Sequence, residues 1–133
     1  MKHRRRFLSF AFAFVALFVA ARLVALMPAV QDELAQQMSD AAYQQKTSEV
    51  VFWLVLGASP NQMIGGRSPA IHAAASKDDI RTLKLLLFCG ADPNLKAKFG
   101  VTPLWEAERS GAQKSATLLR SHGGYAAIDP GAP

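Results

Sequence analysis

Residues 85–94 read LLLFCGADPN, and the same kind of helix ending occurs twice more in this chain of 133 residues. Residues 52–61 read FWLVLGASPN, and residues 118–124 read LLRSHGG. When Gly57, Gly90 and Gly123 are superposed, successive copies are 33 residues apart. A fixed period of this length is typical of proteins built from stacked structural repeats.

Apolar and small residues upstream of the three glycines recur at the same period, without a gap. In the middle copy, Ile71 and Ala74 form one apolar stripe at helical spacing, and residues 80–87 form a second. Each copy is therefore predicted to fold as two short helices, and the pairs must stack because one pair cannot cover both of its apolar faces. The aligned sets are Val50/Leu83/Ala116, Trp53/Leu86/Leu119, Met38/Ile71/Leu104 and Ala41/Ala74/Ala107.

The turn between the two helices of a pair has its own residue pattern. The third copy has RSGA at 109–112, where Gly111 can take the left-handed conformation that ends a helix. The middle copy has SKDD at 76–79, with Asp78 in the equivalent place. After the second helix, Gly90 and the Asp-Pro-Asn that follows it predict a stop with turn chemistry.

These residues resemble the ankyrin repeat. Residues 100–123, GVTPLWEAERSGAQKSATLLRSHG, follow the Gly-x-Thr-Pro-Leu-His-x-Ala order with Trp105 at the histidine position. Residues 68–94 keep Ile71-His72-x-Ala74-Ala75 and the Gly-Ala-Asp-x-Asn ending, but carry Pro69-Ala70 where the family has Thr-Pro. The first copy is the weakest match, with MSDAA at 38–42.

The resemblance implies a mainly α-helical ankyrin-repeat solenoid of three helix-turn-helix units with β-hairpin fingers, preceded by one hydrophobic N-terminal helix. The three repeats are expected at about 34–63, 67–96 and 100–124. We accordingly divide the chain into an N-terminal segment at 1–30, a repeat domain at 31–124 and a flexible tail at 125–133.

The first thirty residues begin with a basic run and continue with an apolar stretch. Phe7 to Ala21 carry no charge, and the segment 7–30 is long enough to span a membrane with Arg22 near the far interface. Basic residues before the segment and acidic residues after it orient the N-terminus towards the cytoplasm. The prediction is a single-pass anchor in the cell inner membrane with the repeats in the periplasm.

Two features of this segment leave alternatives open. Arg4-Arg5-x-Phe7-Leu8 resembles a twin-arginine export signal, which a receptor reads and which is not itself an anchor. The best small-residue cleavage site is VAA at 19–21, and no A-x-A stands in the right place. An uncleaved signal anchor is preferred, and the alternative is a soluble periplasmic protein after signal cleavage.

The net charge of +5 does not indicate nucleic-acid binding. Five of the fifteen basic residues lie in the first 22 positions, and the ten that remain are balanced by ten acidic residues. A nucleic-acid footprint requires basic side chains clustered on a folded face. The single cysteine, Cys89, excludes an internal disulfide; it either fills the end of an outer helix or forms an intermolecular disulfide.

Chemistry of the kind that enzymes need is not predicted. The resemblance implies structural roles for His72, which in the family bonds to neighbouring backbone, and for His122. Neither histidine has a carboxylate or thiol beside it at ligand spacing. We therefore expect no catalytic residue, no metal, no cofactor and no small-molecule substrate.

Protein binding is the predicted function, because ankyrin stacks bind partners through fingertips and inner helices. The fingertips are expected at 62–66 and 96–100, and the predicted partner-binding residues are Met63, Ile64, Phe99, Trp105 and Glu106. The alternative is a membrane-assembly or structural component. Its self-association would use the anchor and the first repeat, where VVFWLVL at 50–56 is apolar all round and needs cover from the preceding segment, a partner or lipid.

Overall fold

The computed structural model describes residues 15–24, 27–63, 65 and 67–128. The described residues form seven α-helices and one short 3-10 turn at Lys98–Gly100. The helices are α1 (Val15–Val24), α2 (Pro28–Tyr43), α3 (Thr47–Leu56), α4 (Ala70–Ser76), α5 (Ile80–Phe88), α6 (Pro103–Arg109) and α7 (Gln113–Ser121).

Helices α2 to α7 form three consecutive pairs that stack on one another. Each pair joins an inner helix (α2, α4, α6) to an outer helix (α3, α5, α7), and α4 packs between α2 and α6. The outer helices form a second layer, with α5 between α3 and α7. The predicted mainly α-helical stack of three repeats is confirmed.

The core consists of the positions that recur in sequence. All members of the four aligned sets are buried except Trp53, which is partly buried and packs against the same core. Ile71 and Leu86 are both 0% exposed. The alanines at positions 41, 74 and 107 are at most 2% exposed, and their small side chains let neighbouring inner helices approach closely.

Left-handed residues recur at two places in every repeat. Gly57, Gly90 and Gly123, which follow the outer helices, have φ of 105°, 87° and 78°. The turns inside the pairs have positive φ at Gln45, Asp78 and Gly111, with 59°, 54° and 73°. The predicted conformation of Gly111 is confirmed, and Asp78 adopts it too because a short polar side chain tolerates this region better than most.

A side-chain amide ties each repeat to the next, an arrangement called here the amide clamp. Asn94 donates from Nδ2 to the Gly123 carbonyl at 3.0 Å and accepts from the Tyr125 amide at 2.9 Å. Asn61 makes the same pair of bonds one period earlier, to Gly90 and Asp92 of the second repeat. Gln31 of α2 makes an equivalent pair inside the first repeat, to Gly57 and Ser59 at the end of α3.

Two adjacent carboxylates cap the outer helices. Asp79 caps its own helix α5 by accepting from the Thr82 amide at 3.2 Å. Asp78 accepts from the Ser115 amide at 2.7 Å, in the first turn of α7 in the following repeat. Because α7 has no side-chain cap of its own, Asp78 couples the second repeat to the third.

The predicted β-hairpin form of the fingers is not confirmed. The described residues contain no β-strand, only an isolated bridge residue at Arg67. The second finger is a tight loop: residues 98–100 form the 3-10 turn, and the Ala97 amide donates to the Val101 carbonyl at 2.8 Å. The Gly100 amide donates to the Ala97 carbonyl and closes the turn, and Pro103 has no amide proton, so the pairing does not continue as a ladder.

The N-terminal region is described only in part. The predicted anchor includes residues 1–14 and 25–26, which lie outside the described residues. Within the described part, α1 is exposed along its whole length, and no single helix is long and apolar enough to cross a membrane. Helices α1 and α2 reach that length and composition only as a pair, with a bend of 98° between them.

The segment after α7 is bonded to the third repeat as far as residue 127. The Thr102 amide donates to the Ala127 carbonyl at 3.1 Å, and the Thr102 hydroxyl donates to the Tyr125 carbonyl at 2.7 Å. The remainder of the predicted tail, 129–133, lies outside the described residues.

Candidate functional site

The exposed side of the inner helices forms an open cleft, which we call the inner face. Its volume is about 310 Å³, and both walls come from residues that the 33-residue period places in register on successive helices. One such column is Asp40, Ala73 and Glu106, and another is Tyr43, Ser76 and Arg109. The residues lining the cleft are Ser39, Asp40, Tyr43, Arg67, Ser68, His72, Ala73, Ser76 and Glu106.

Charged and aromatic groups in the cleft are paired with one another at its rim. Arg67 bonds to the Asp40 carboxylate at 2.7 Å, with both side chains about half exposed. The Lys77 ammonium lies 4.0 Å from the centre of the Tyr43 ring. Exposed pairs of this kind contribute little to stability and exchange readily with other partners. The rim can therefore re-pair with charged groups of a bound molecule.

His72 forms the floor of the cleft and supports the neighbouring loop. Its Nε2 lies 2.7 Å from the Leu95 carbonyl, to which it donates, so the predicted bond to neighbouring backbone is confirmed. Burial lowers the pKa of His72 below its ordinary value of 6.5, against the opposing effects of the Leu95 bond and the charge of Glu106. His72 is therefore neutral near pH 7, with Nδ1 as an acceptor.

The Nδ1 atom of His72 is buried without a hydrogen-bond partner. One period later, the Thr102 hydroxyl caps α6 at the amide of Trp105, which occupies the position of His72. In the second repeat that threonine is replaced by Pro69, which has no hydroxyl, and α4 has no side-chain cap. The departure of Pro69-Ala70 from the family pattern thus leaves α4 without the side-chain cap that α6 has.

The predicted fingertip residues are exposed where the structure describes them. Met63 is 47% exposed and Phe99 is 50% exposed, while Ile64 lies outside the described residues. Phe99 has φ of 60° and ψ of 26°, the left-handed region that bulky side chains avoid. The Lys98 ammonium lies 5.0 Å from the Phe99 ring centre.

The predicted inner-helix residues lie side by side on α6, but only one of them lines the cleft. Glu106 faces the cleft and bonds to Arg109 at 2.7 Å, with its side chain 20% exposed. Trp105 is partly buried, and the Arg109 guanidinium lies 5.4 Å from its ring centre. Arg109 therefore joins the two predicted residues into one cluster.

Sequence reasoning missed Asp40, Tyr43 and Arg67, which complete the cleft. Asp40 and Tyr43 stand two periods before Glu106 and Arg109, so extending the 33-residue register into the first copy could have found them. The sequence around them, MSDAA at 38–42, matches the ankyrin pattern poorly, so the family motif did not indicate a site there. Arg67 lies in a loop, where the helical register gives no guide.

The described residues show no arrangement suited to metal binding. They contain no group of three or more His, Cys, Asp or Glu side chains that could hold an ion. His122 is exposed, and its Nδ1 lies 3.0 Å from the Leu118 carbonyl. Cys89, at the end of the outer helix α5, is also exposed and fills no core position there.

Comparison with known proteins identifies a family and a curated relative that resemble this chain. A family model described as "Ankyrin repeats (3 copies)" matches residues 38–130. The chain is also similar to "Cyclin-dependent kinase 4 inhibitor B" of Mus musculus, with 39% identity over 62 residues. That match covers 46% of this chain, and the chain spans about half the length of this curated relative, 47%.

Proposed function

The chain belongs to the ankyrin-repeat family, and on that premise we propose that it is a non-catalytic protein-binding module held at a membrane by its N-terminal segment. The family match covers all three repeats and supports interaction with a protein. The name of the mouse relative states that it inhibits a kinase, which is itself a protein. That similarity supports a protein partner for this chain.

The observation that carries the proposal is the conformation and exposure of Phe99. A residue with a side chain in the left-handed region costs about 1–2 kcal/mol relative to its ordinary conformation. Phe99 nevertheless adopts it, and half of its surface remains in solvent. Folding alone would favour glycine or asparagine here, so we assign the ring to a contact outside the chain.

The surface proposed for the partner combines the fingertips with the inner face. Met63, Ile64 and Phe99 would supply apolar anchors, and Trp105 with Glu106 would extend the contact along α6. Exposed apolar side chains beside satisfied polar groups are what protein-binding hot spots require. The cleft carries the carboxylates of Asp40 and Glu106, each paired with an arginine that can move. A partner segment with a basic side chain fits it best.

The anchor part of the proposal rests on the sequence of residues 1–30. The basic residues Lys2, Arg4, Arg5 and Arg6 precede an apolar stretch of spanning length. We propose a single-pass protein of the inner membrane with its repeat domain at 31–124 in the periplasm. Cleavage of the segment would instead give a soluble periplasmic protein with the same binding surface.

One variant separates a binding role of Phe99 from a structural one. Phe99→Asn places a residue that tolerates the left-handed region at the same position. Stability should stay the same or rise by up to about 1 kcal/mol, while partner affinity should fall by about 1–4 kcal/mol. Affinity capture from the cell envelope with the full chain in neutral detergent supplies the partner for the measurement.

The matched control is Phe52→Asn, since Phe52 is 54% exposed on the outer helix α3. It removes an equally exposed ring from the opposite layer and should leave affinity unchanged. Loss of stability in Phe99→Asn would place the ring in the fold, and full affinity in that variant would remove the fingertip from the binding surface.

The topology is tested separately with a reporter fused after residue 133. Activity is expected only outside the cytoplasm, and neutral replacements of Arg4, Arg5 and Arg6 should weaken that orientation. Replacement of Arg4-Arg5 by Lys-Lys tests the twin-arginine route, which unchanged export would reject. Cytoplasmic activity of the intact fusion would refute the proposed location and leave the binding surface standing.

A second candidate function is self-association in the membrane. It is favoured by the exposed apolar side chains of α3, where Val51, Phe52 and Val55 are 42%, 54% and 49% exposed. In that case the fingertips would have no partner, and Phe52→Asn, not Phe99→Asn, would abolish the interaction. The same pair of variants therefore decides between the two functions.

A further inference from the structure

We propose that the outer helices dock on an anionic lipid surface, which holds the repeat stack flat with its inner face directed away from the bilayer. The outer surface consists of an apolar group, Val51, Phe52 and Val55 of α3, and a basic group, Arg81, Lys84 and Lys114 of α5 and α7. The period places these side chains in register on adjacent helices: Val51 aligns with Lys84, and Val55 with Phe88.

The apolar group is unusually exposed for a folded domain. Its three members are each more than 40% exposed, and Phe88, beside Val55 in the next repeat, is 91% exposed. Contiguous exposed apolar side chains of this kind mark contact sites for a protein or a membrane. A partner of this apolar group must also suit the basic side chains beside it.

The basic group lies next to the apolar one and is free to bind anions. Among the described residues, Arg120 pairs with Glu108 and Lys46 with Glu49, whereas Arg81, Lys84 and Lys114 make no ion pair. Asp78 and Asp79 lie beside Arg81 and Lys114 in one recess, but each directs an oxygen at a helix amide.

A groove between α5 and α7 combines basic and apolar side chains. It has a volume of about 520 Å³, with Lys84 and Lys114 at its rim and the apolar side chains of Ile80 and Leu118 in its lining. No acidic residue lines it. Lysines with apolar stems above an apolar floor suit the phosphate and upper acyl chain of an anionic lipid.

The charges of the inner and outer helices also favour this orientation. Helices α3, α5 and α7 carry four basic residues and one acidic residue. Helices α2, α4 and α6 carry five acidic residues and one basic residue. An anionic surface therefore attracts the outer layer and repels the inner one, which fixes the orientation of the stack.

Two other occupants fit less well. A second copy of the chain in a twofold contact would bring the basic group against itself, because both partners use the same patch. A nucleic acid would match the basic group but would leave Val51, Phe52, Val55 and Phe88 in water. A lipid surface is the occupant that satisfies both groups together.

The short connection to the N-terminal segment adds a geometric reason, which rests on the proposed membrane anchor. The described part of helix α1 runs to Val24, and α2 begins at Pro28. Three intervening residues span at most about 10 Å. A stack tethered this closely to an anchor must place one of its sides against the headgroups.

The chain contains two tryptophans that report on this orientation. Trp53 lies on α3, with its ring centre 5.0 Å from that of Phe52, and Trp105 lies on the inner helix α6. The full chain is reconstituted as Trp105→Phe, which keeps Trp53, and as Trp53→Phe, which keeps Trp105. Vesicles contain brominated phosphatidylcholine, with or without phosphatidylglycerol, and bromine quenches the tryptophan that contacts the bilayer.

We expect strong quenching of Trp53 in the vesicles with phosphatidylglycerol, little in phosphatidylcholine alone, and little quenching of Trp105 in either. Lys84→Gln and Lys114→Gln should each weaken docking about fivefold, the equivalent of about 1 kcal/mol per basic residue near an anionic surface. The control Lys96→Gln removes the same single charge from the second finger and should leave quenching unchanged.

The contrary outcomes distinguish this inference from the proposed anchor. If the chain floats with the vesicles while Trp53 stays unquenched, the docking is refuted and the anchor stands. If the chain does not float with anionic vesicles, both are refuted. Trp53 quenching that depends neither on phosphatidylglycerol nor on Lys84 and Lys114 would refute the role of anionic lipid. Cross-linked dimers with unquenched Trp53 would assign the outer surface to a second copy of the chain.

Discussion

The amide clamp provides a quantitative test of how the repeats are joined. Asn94→Ala removes the bonds to the Gly123 carbonyl and the Tyr125 amide, at 3.0 and 2.9 Å. It leaves in place the bond that the Asn94 backbone amide donates to the Asp92 carboxylate. A net contribution of about 0.5–1.5 kcal/mol per bond gives a range of about 1–3 kcal/mol. Because Asn94 is partly exposed and water can replace one partner, we expect about 1–2 kcal/mol.

Thermal unfolding followed by circular dichroism, with the full chain in mild detergent, measures this loss. In a domain of this size the melting temperature should fall by about 4–8 °C per kcal/mol. Asn61→Ala should behave alike, since Asn61 makes the equivalent bonds to Gly90 and Asp92. Lys96→Ala, an exposed change in the same loop as Asn94, should stay within about 0.5 kcal/mol. An Asn94→Ala chain that melts like Lys96→Ala would refute the clamp.

Two further predictions concern the core and the histidine. Leu86→Ala should lower the free energy of unfolding by about 2–5 kcal/mol in denaturant, because Leu86 is 0% exposed at the centre of the stack. A variant as stable as the wild type would show that the repeat register is wrong. Burial lowers the pKa of His72, so the unfolded chain binds more protons and stability should fall as pH drops below about 6.5. His72→Gln should lessen that fall and His122→Gln should not; identical pH profiles for all three chains would contradict this.

The sequence predicted those parts of the fold that each repeat specifies by itself. Apolar positions at helical spacing gave the helix pairs, and glycines gave the left-handed ends, because both depend on local steric preferences. The contacts between repeats were not predictable in this way. Asn94 and Asp78 were interpreted as turn residues, but their side chains reach into the following repeat, which only the stacked arrangement brings within bonding distance.

The candidate site was predicted less completely than the fold. Phe99 and Glu106 could be found because each stands in a well-matched repeat. Asp40 and Tyr43 belong to the first copy, whose residues match the family poorly, although the period itself places them beside Glu106 and Arg109. The exposure of Phe99 in a strained conformation has no signature in sequence, since a loop phenylalanine is equally compatible with packing onto the stack.

The most direct test of the proposed function compares the two sides of the stack in the same membrane. A photo-cross-linking amino acid replaces Phe99 at the fingertip in one full-length chain and Thr117 on the exposed side of α7 in another. After illumination of intact cells, we expect a discrete protein adduct at position 99 and none at position 117. A protein adduct at position 117 with none at position 99 would contradict it, because the partner would then bind the outer helices and not the fingers.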